Sequence, residues 1–393
     1  MTALRIGLNL TFLVADSGGS GSYARELIPA LLGVEPGVRI TGFVNADAPD
    51  AVARAPWAGE VDWVRFPIHP QRPGPLAPLV SMAVQWGALP ALAARRRLDV
   101  VHGLANVVPP LHPRVATVVT VLDLIWLRHT TTMTRRATLG MRLAVPPSAR
   151  TADRVIAISR AARDDLVRTL RLPPARVDVT HLGVRLDETV PPTPEMELRQ
   201  SLGLGDAPFV LCVAQVRPHK NIGGLVEALA RLADERTNLV VVGPHTGHEE
   251  ELRARAARLG VDRRVHLPGW VSDPDLEGLY RAAACFALPS FEEGFGLPIL
   301  EAMRRGTPVA CSDASSLPEV AGDAAVLFDP HDPSSIAAAL ERLLGDDALR
   351  ARLAQAGLAR CRDFTWEATA RATLQSYRRA LAEPRAGRAR TRA

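Results

Sequence analysis

Glu293 and Glu301 stand eight positions apart around a glycine-bearing turn, in the stretch Ser290-Phe-Glu-Glu-Gly-Phe-Gly-Leu-Pro-Ile-Leu-Glu-Ala302. Carboxylates accept hydrogen bonds from sugar hydroxyls, and amides at a helix start attract phosphate. The stretch therefore holds the parts of an anion cradle with a hydroxyl-binding acid at each end. The apolar run Cys285 to Leu288 reads as a short buried strand, Gly294 and Gly296 allow tight turns and close ligand approach, and Pro298 suits the first turn of a helix. Were the eight steps wholly helical, they would span roughly 12 Å at about 1.5 Å per residue, comparable to a diphosphate between two sugars. One carboxylate could then hold a transferable sugar and the other a ribose.

Charge usage supplies a second signal. Of the 47 Lys plus Arg residues one is lysine, Lys220, in Ala214-Gln-Val-Arg-Pro-His-Lys-Asn221 directly after the apolar run Phe209 to Val213. A compact ammonium and a planar guanidinium differ in geometry and hydration, so a site beside phosphate oxygens that takes one need not accept the other. A lone lysine is also what an arginine-rich composition leaves by accident.

With Gly306-Thr-Pro-Val-Ala and Ser315-Ser-Leu-Pro-Glu-Val-Ala-Gly-Asp-Ala-Ala downstream, the Glu-Gly-Phe-Gly-Leu-Pro-Ile-Leu-Glu-Ala core resembles the retaining nucleotide-sugar glycosyltransferases of family 4, the group 1 transferases with the GT-B fold. The resemblance covers nearly the whole chain. It implies that Arg217 and Lys220 hold the donor diphosphate and stabilise the departing nucleotide, that Glu293 orients the sugar, and that Glu301 binds the ribose. Amides near Gly294, Phe295, Gly296 and Leu297 would add donors, and Val271, after Gly269-Trp, falls where the family's backbone meets the nucleobase. Glu292 lacks the family's spacing to Glu301. The Ser315-Ser-Leu-Pro-Glu-Val segment looks most like bacterial mannosyltransferases and related polysaccharide enzymes, which favours GDP-mannose over UDP-glucose as donor.

In the first half, Ser17-Gly-Gly-Ser-Gly-Ser22 reads as a loop between first strand and first helix; its amides could receive a phosphate or sugar hydroxyl, as could those of any glycine turn of an α/β protein. The resemblance favours Gly19, since the family's corresponding loop faces the donor. His102, in Asp99-Val-Val-His-Gly103, is either a sugar-binding imidazole at a strand end or a structural histidine. Asp123 follows the apolar run Val115 to Leu122, where family members often carry His-Asp; here Leu122 replaces that histidine and removes one proton-handling group. Asp123 is then an acceptor contact or a helix cap. Asp273-Pro-Asp275 imitates the Asp-x-Asp of metal-dependent transferases, yet reads more simply as a helix start with Asp273 as N-cap. No metal or other cofactor is expected, because Arg217 and Lys220 supply the positive charge that a divalent ion would bring.

The elements needed to position these groups alternate between strand and helix twice over. Strand-like runs at Arg5 to Leu10, Arg39 to Val44, Val61 to Phe66, Asp99 to His102, Ala116 to Val121 and Arg154 to Ile158 form one set; Phe209 to Ala214, Leu239 to Val242, Val265 to Leu267, Cys285 to Leu288, Pro308 to Cys311 and Ala325 to Phe328 form another. Two Rossmann-like α/β domains with doubly wound parallel sheets, facing an interdomain cleft, are expected. Residues 1–186 form the acceptor-side domain, 187–200 a linker, 201–364 the nucleotide-sugar domain, 365–382 a helix returning to the first domain, and 383–393 a basic disordered tail.

The chain's 393 residues suffice for two cores. A formal charge of +5 suits anionic partners, but no basic run is interleaved with stacking aromatics, which argues against nucleic acid. Cys212, Cys285, Cys311 and Cys361 are widely spaced and read as reduced core residues of a cytoplasmic protein. Pro73 to Ala94 carries no charge over 22 residues, but four prolines make a spanning helix improbable; a packed helix or a lipid-facing segment at the inner face of the membrane are the readings left. The expected partners are a nucleotide-sugar donor and a glycan, lipid-linked or small-molecule acceptor, with peripheral membrane contact as an option. Rival functions are a catalytically silent nucleotide-sugar-binding subunit, and an epimerase or hydrolase on a similar scaffold.

Overall fold

The computed structural model describes residues 3–14, 18–48, 52, 55–70, 77–109, 115–129, 135–185 and 190–382. It divides into two units, Met1–Gly183 with Trp366–Ala393, and Val184–Thr365. The expected α/β class holds in both, since each is built on one parallel sheet.

In the first unit the strands are β1 (Arg5–Leu10), β2 (Arg39–Val44), β3 (Val61–Arg65), β4 (Val100–Gly103), β5 (Ala116–Val121), β6 (Arg154–Ala157) and β7 (Val177–Val179), in the order β3-β2-β1-β4-β5-β6-β7. β1 pairs with β2 on one side and β4 on the other, so the winding reverses there. The central strands are buried on both faces, as near-continuous aliphatic runs require of parallel sheets covered by helices. The helix Trp366–Ala382 belongs to this unit, where its Ser376 and Arg379 bond the carboxylate of Asp178, itself paired with buried Arg154.

The second unit holds β8 (Phe209–Val213), β9 (Asn238–Val242), β10 (Val265–Gly269), β11 (Cys285–Leu288), β12 (Val309–Ser312) and β13 (Ala325–Phe328), ordered β10-β9-β8-β11-β12-β13. Here the winding reverses between β8 and β11, which pair directly through Cys285 with Val210 and Phe286 with Leu211. The four cysteines are free and buried.

Several boundaries differ from expectation. β7 lies in a stretch whose short apolar run carries too weak a period to read. The helix Glu195–Leu202 starts inside the segment expected as linker, with Gly203 in the left-handed conformation as its C-cap. Gly18 to Ser22 are helical, the opening of Gly18–Val34, rather than a loop, and Ser17 lies outside the described residues. From Pro73 to Ala94, residues 77–94 are helical, passing through a π turn at Val84–Ala88 into Leu89–Arg95; residues 73–76 and the tail 383–393 lie outside the described residues. Among the described residues no helix is long and apolar enough to cross a membrane.

Candidate functional site

Beyond β8 the chain turns through Ala214 to Val216 into a single 3-10 turn, Pro218–Lys220, closed by the Lys220 amide on the Arg217 carbonyl at 2.9 Å. Asn221 follows at φ +54°; its side chain accepts from the Gly224 amide, capping the helix Ile222–Leu229, and donates to the Pro330 carbonyl at 2.7 Å. Lys220 is therefore rooted between two fixed backbone segments. Beyond β11 the chain reaches Ser290, fully buried, and the Phe291 amide bonds the His219 carbonyl at 2.9 Å, stitching the two loops together.

The two loops join in chemistry as well as backbone. Lys220 Nζ donates to Glu293 Oε1 at 2.6 Å, and Ser290 Oγ donates to the same oxygen at 2.8 Å. Both ionic side chains are largely shielded, 19% and 12% exposed, so the pair is weakly screened and its geometry is well fixed. Arg217 Nε is turned to Gln215 Oε1 at 2.7 Å. These loops leave adjacent strands at the point where the winding reverses, the place where open α/β sheets bind ligands.

The turn after Glu293 is held by serines. Ser315 Oγ accepts from the Glu293 amide and donates to its carbonyl at 2.8 Å; Ser316 Oγ donates to the carbonyls of Glu293 and Phe295 at 3.1 and 2.9 Å. Ser312 Oγ donates to the Ser290 carbonyl at 2.6 Å. Gly296 sits at φ +102°, where a Cβ would stand 2.5 Å from Leu317 Cδ2, so the turn into Leu297–Met303 requires glycine. The Phe295 ring is buried, edge-on to Phe364 at 5.8 Å, and anchors the turn. Helicity starts at Leu297, so only the last part of the Glu293 to Glu301 interval is helical and the fully helical span does not apply. The Ile299 amide donates to the Gly296 carbonyl at 3.0 Å, closing the first turn of this helix.

Glu301, on that helix, accepts from the Tyr280 hydroxyl at 3.0 Å. Val271 lies half-buried just after β10, next to exposed Trp270. The helix Asp273–Ala282 is capped by Ser272, whose side chain accepts from the Asp275 amide; Asp273 is thus its first residue rather than the cap. The Asp275 carboxylate is bonded by Thr193 Oγ1 and Ser272 Oγ at 2.6 and 2.7 Å, which hold it below the usual carboxylate range.

In the first unit the structure corrects the sugar-binding reading of His102. The ring is fully buried, with Nδ1 2.7 Å from the Tyr377 hydroxyl and Nε2 2.8 Å from Thr120 Oγ1. Both nitrogens have protein partners and none is left for a hydroxyl; burial drives its pKa from 6.5 down to about 3. Asp123 Oδ1 accepts from the Ile125 amide at 3.0 Å, an Asx-type turn just ahead of the short helix Ile125–Arg128, whose N-cap is Leu124. Gly19 is exposed in the first turn of its helix.

Sequence reading passed over Ser290, Ser312 and the Tyr280 support of Glu301. Ser315 and Ser316 were visible as a motif, but their bonds join positions more than 20 residues apart.

Comparison with known proteins agrees with this geometry. The profile "Glycosyl transferases group 1" matches residues 195–360, and "Glycosyltransferase Family 4" matches residues 17–188. A D-inositol 3-phosphate glycosyltransferase of Salinispora arenicola is 32% identical over 93% of this chain and 88% of its own length. The O-antigen chain mannosyltransferase B of Escherichia coli is 36% identical over 57% of this chain and 60% of its own, so that match spans well under two thirds of the relative. In fold, the sucrose-phosphate synthase of Thermosynechococcus elongatus superimposes with a TM-score of 0.76 at 23% identity, covering 95% of this chain and 98% of the other. Two parallel-sheet units of this kind have the GT-B fold. The chain belongs to the group 1 glycosyltransferases of family 4.

Proposed function

We propose that the chain transfers a hexose from a nucleoside diphosphate sugar to a hydroxyl acceptor with retention of anomeric configuration, and that GDP-mannose is favoured over UDP-glucose as donor. The observation that carries the reading is the Lys220 to Glu293 pair at the reversal between β8 and β11. In the donor-free site the ammonium and the carboxylate satisfy each other. An incoming diphosphate competes for Lys220, and Glu293 Oε1, still bonded by Ser290, turns to a sugar hydroxyl. Arg217 adds a second positive charge, so developing charge on the leaving phosphate is met without a metal. The leaving phosphate takes the acceptor proton on the same face, and Glu301 holds the ribose. Among the described residues no His, Cys, Asp or Glu cluster of metal-binding size occurs.

The donor preference draws on the mannosyltransferase relative and on the Ser315-Ser-Leu-Pro-Glu-Val motif. A thermal-shift screen of nucleotide sugars tests it, since a ligand bound only by the folded state raises the melting temperature. Stabilisation by GDP-mannose followed by transfer supports the reading; sugar release or epimerisation without acceptor replaces it with the rival chemistry, and binding without turnover with the silent subunit.

Peripheral contact with anionic lipid is supported by the first unit's surface. Leu79, Met82 and Trp86 are exposed along a charge-free helical stretch, and Leu139, Leu143 and Arg142 are exposed on Arg135–Thr151. Sedimentation with phosphatidylserine vesicles at low and high salt decides it; no association at low salt favours a soluble acceptor.

A further inference from the structure

Glu301 does not stand alone. Its Oε2 accepts from the Tyr280 hydroxyl at 3.0 Å, and Tyr280 is fully buried on the helix Asp273–Ala282. The Arg305 guanidinium lies over the Tyr280 ring, 4.5 Å from its centroid, while its NH1 donates to the Glu301 carbonyl at 2.7 Å and its Nε to Glu277 Oε2 at 2.6 Å. Glu277 is 3% exposed and gathers Arg281 and Arg304 as well. Burial pushes the Glu277 carboxyl up, but hydrogen bonds from Arg281 and Arg305 and the nearby guanidinium charges outweigh it and hold it below the usual carboxylate range. Burial, with the Glu301 charge next, pushes the Tyr280 hydroxyl well above 10, so it remains a donor.

A carboxylate that must accept from vicinal hydroxyls needs its plane fixed, because free rotation about its last torsion scatters the acceptor directions. One donor on Oε2, from a ring that cannot move, removes that freedom. We infer that Tyr280, braced by Arg305 and Glu277, is a positioning residue that sets the Glu301 carboxylate for the 2′ and 3′ hydroxyls of a ribonucleotide. This rests on the reading of Glu301 as the ribose acid.

The test measures the affinities of GDP and UDP, and of their 2′,3′-dideoxy counterparts, by calorimetry on the full chain. The quantity read is the ribo-to-dideoxy ratio for whichever diphosphate binds the wild type. Glu301→Ala collapses the ratio if the ribose reading holds. Tyr280→Phe keeps the ring and its packing, removes only the hydroxyl, and lowers the ratio about five- to tenfold, the scale of one hydrogen bond's ordinary net contribution. Thr307→Val is the structural control: it removes the Thr307 Oγ1 bond to the Tyr280 carbonyl at 2.7 Å, and lowers the melting temperature without moving the ratio. Arg305→Lys, which loses the guanidinium fork but keeps a cation, gives a smaller drop than Tyr280→Phe.

If Glu301→Ala collapses the ratio and Tyr280→Phe leaves it at the wild-type value, the positioning role is overturned and the ribose reading stands. If Glu301→Ala leaves the ratio intact, or if neither diphosphate binds, the ribose reading falls and the positioning role with it. A ratio that falls equally in Thr307→Val and Tyr280→Phe also overturns the inference, since general loosening then accounts for both.

Discussion

Acid should destabilise the first unit through one histidine. A neutral imidazole must accept at one nitrogen and donate at the other, which Tyr377 and Thr120 satisfy; a protonated ring would be a double donor inside a fully buried site. Tyr23 shares Thr120 from the other side at 3.2 Å, so the groups bonded around the ring are neutral hydroxyls. In the unfolded chain the residue takes up a proton below about 6.5; in the fold it does so near 3. Between those values the unfolded state binds more protons, so stability rises with pH and is lost as pH falls. At about 1.36 kcal/mol per pH unit the full loss approaches 5 kcal/mol, and about 3 kcal/mol is gone by roughly pH 4.5, before most carboxylates titrate. The assay is urea unfolding from about pH 7.5 to 4.5 followed by tryptophan fluorescence. Five of the six tryptophans, Trp57, Trp63, Trp86, Trp126 and Trp366, lie in the first unit, which separates its signal from that of half-buried His266 in the second, also held low by burial. His102→Gln should start less stable yet lose about 3 kcal/mol less than wild type over the same interval, all other groups cancelling in the difference. Equal losses in wild type and variant would refute the reasoning.

Lys220→Ala should raise the transfer barrier by about 2 kcal/mol or more, the scale of losing one preorganised stabiliser of developing charge, with Lys220→Arg partly active; single-turnover rates measure it, and wild-type rates for the alanine variant would remove Lys220 from the site. Activity is expected to survive excess EDTA; complete loss, restored by Mg²⁺ or Mn²⁺, would return Asp273 and Asp275 to a metal role. Gly296→Ala, at φ +102° with its Cβ 2.5 Å from Leu317, should cost about 1–3 kcal/mol of stability and weaken donor binding, read by denaturant melts and by nucleotide titration; a variant as stable and as tight-binding as wild type would show that the turn does not need glycine.

What the sequence by itself determined was local in origin. Aliphatic runs such as Cys285 to Leu288 and Ala116 to Val121 read as buried strands, and Gly296 with Pro298 as a tight turn into a helix, because those choices depend on neighbours in the chain. The Glu293, Lys220 and Glu301 motif was legible for the same reason, as residue types at fixed spacing. The tertiary structure alone decided what met what. His102 lies 275 residues from Tyr377, and only their meeting turned a candidate sugar ligand into a core residue. Lys220 and Glu293 lie 73 residues apart, and no periodicity reports that the ammonium donates to that carboxylate. Nor does any spacing reveal that Tyr280 reaches Glu301, since the two stand 21 residues apart on the helices that precede and follow β11. Pattern carries the period of an element and the turn that ends it; the partner of a polar atom is set by sheet order, which the chain acquires only on folding.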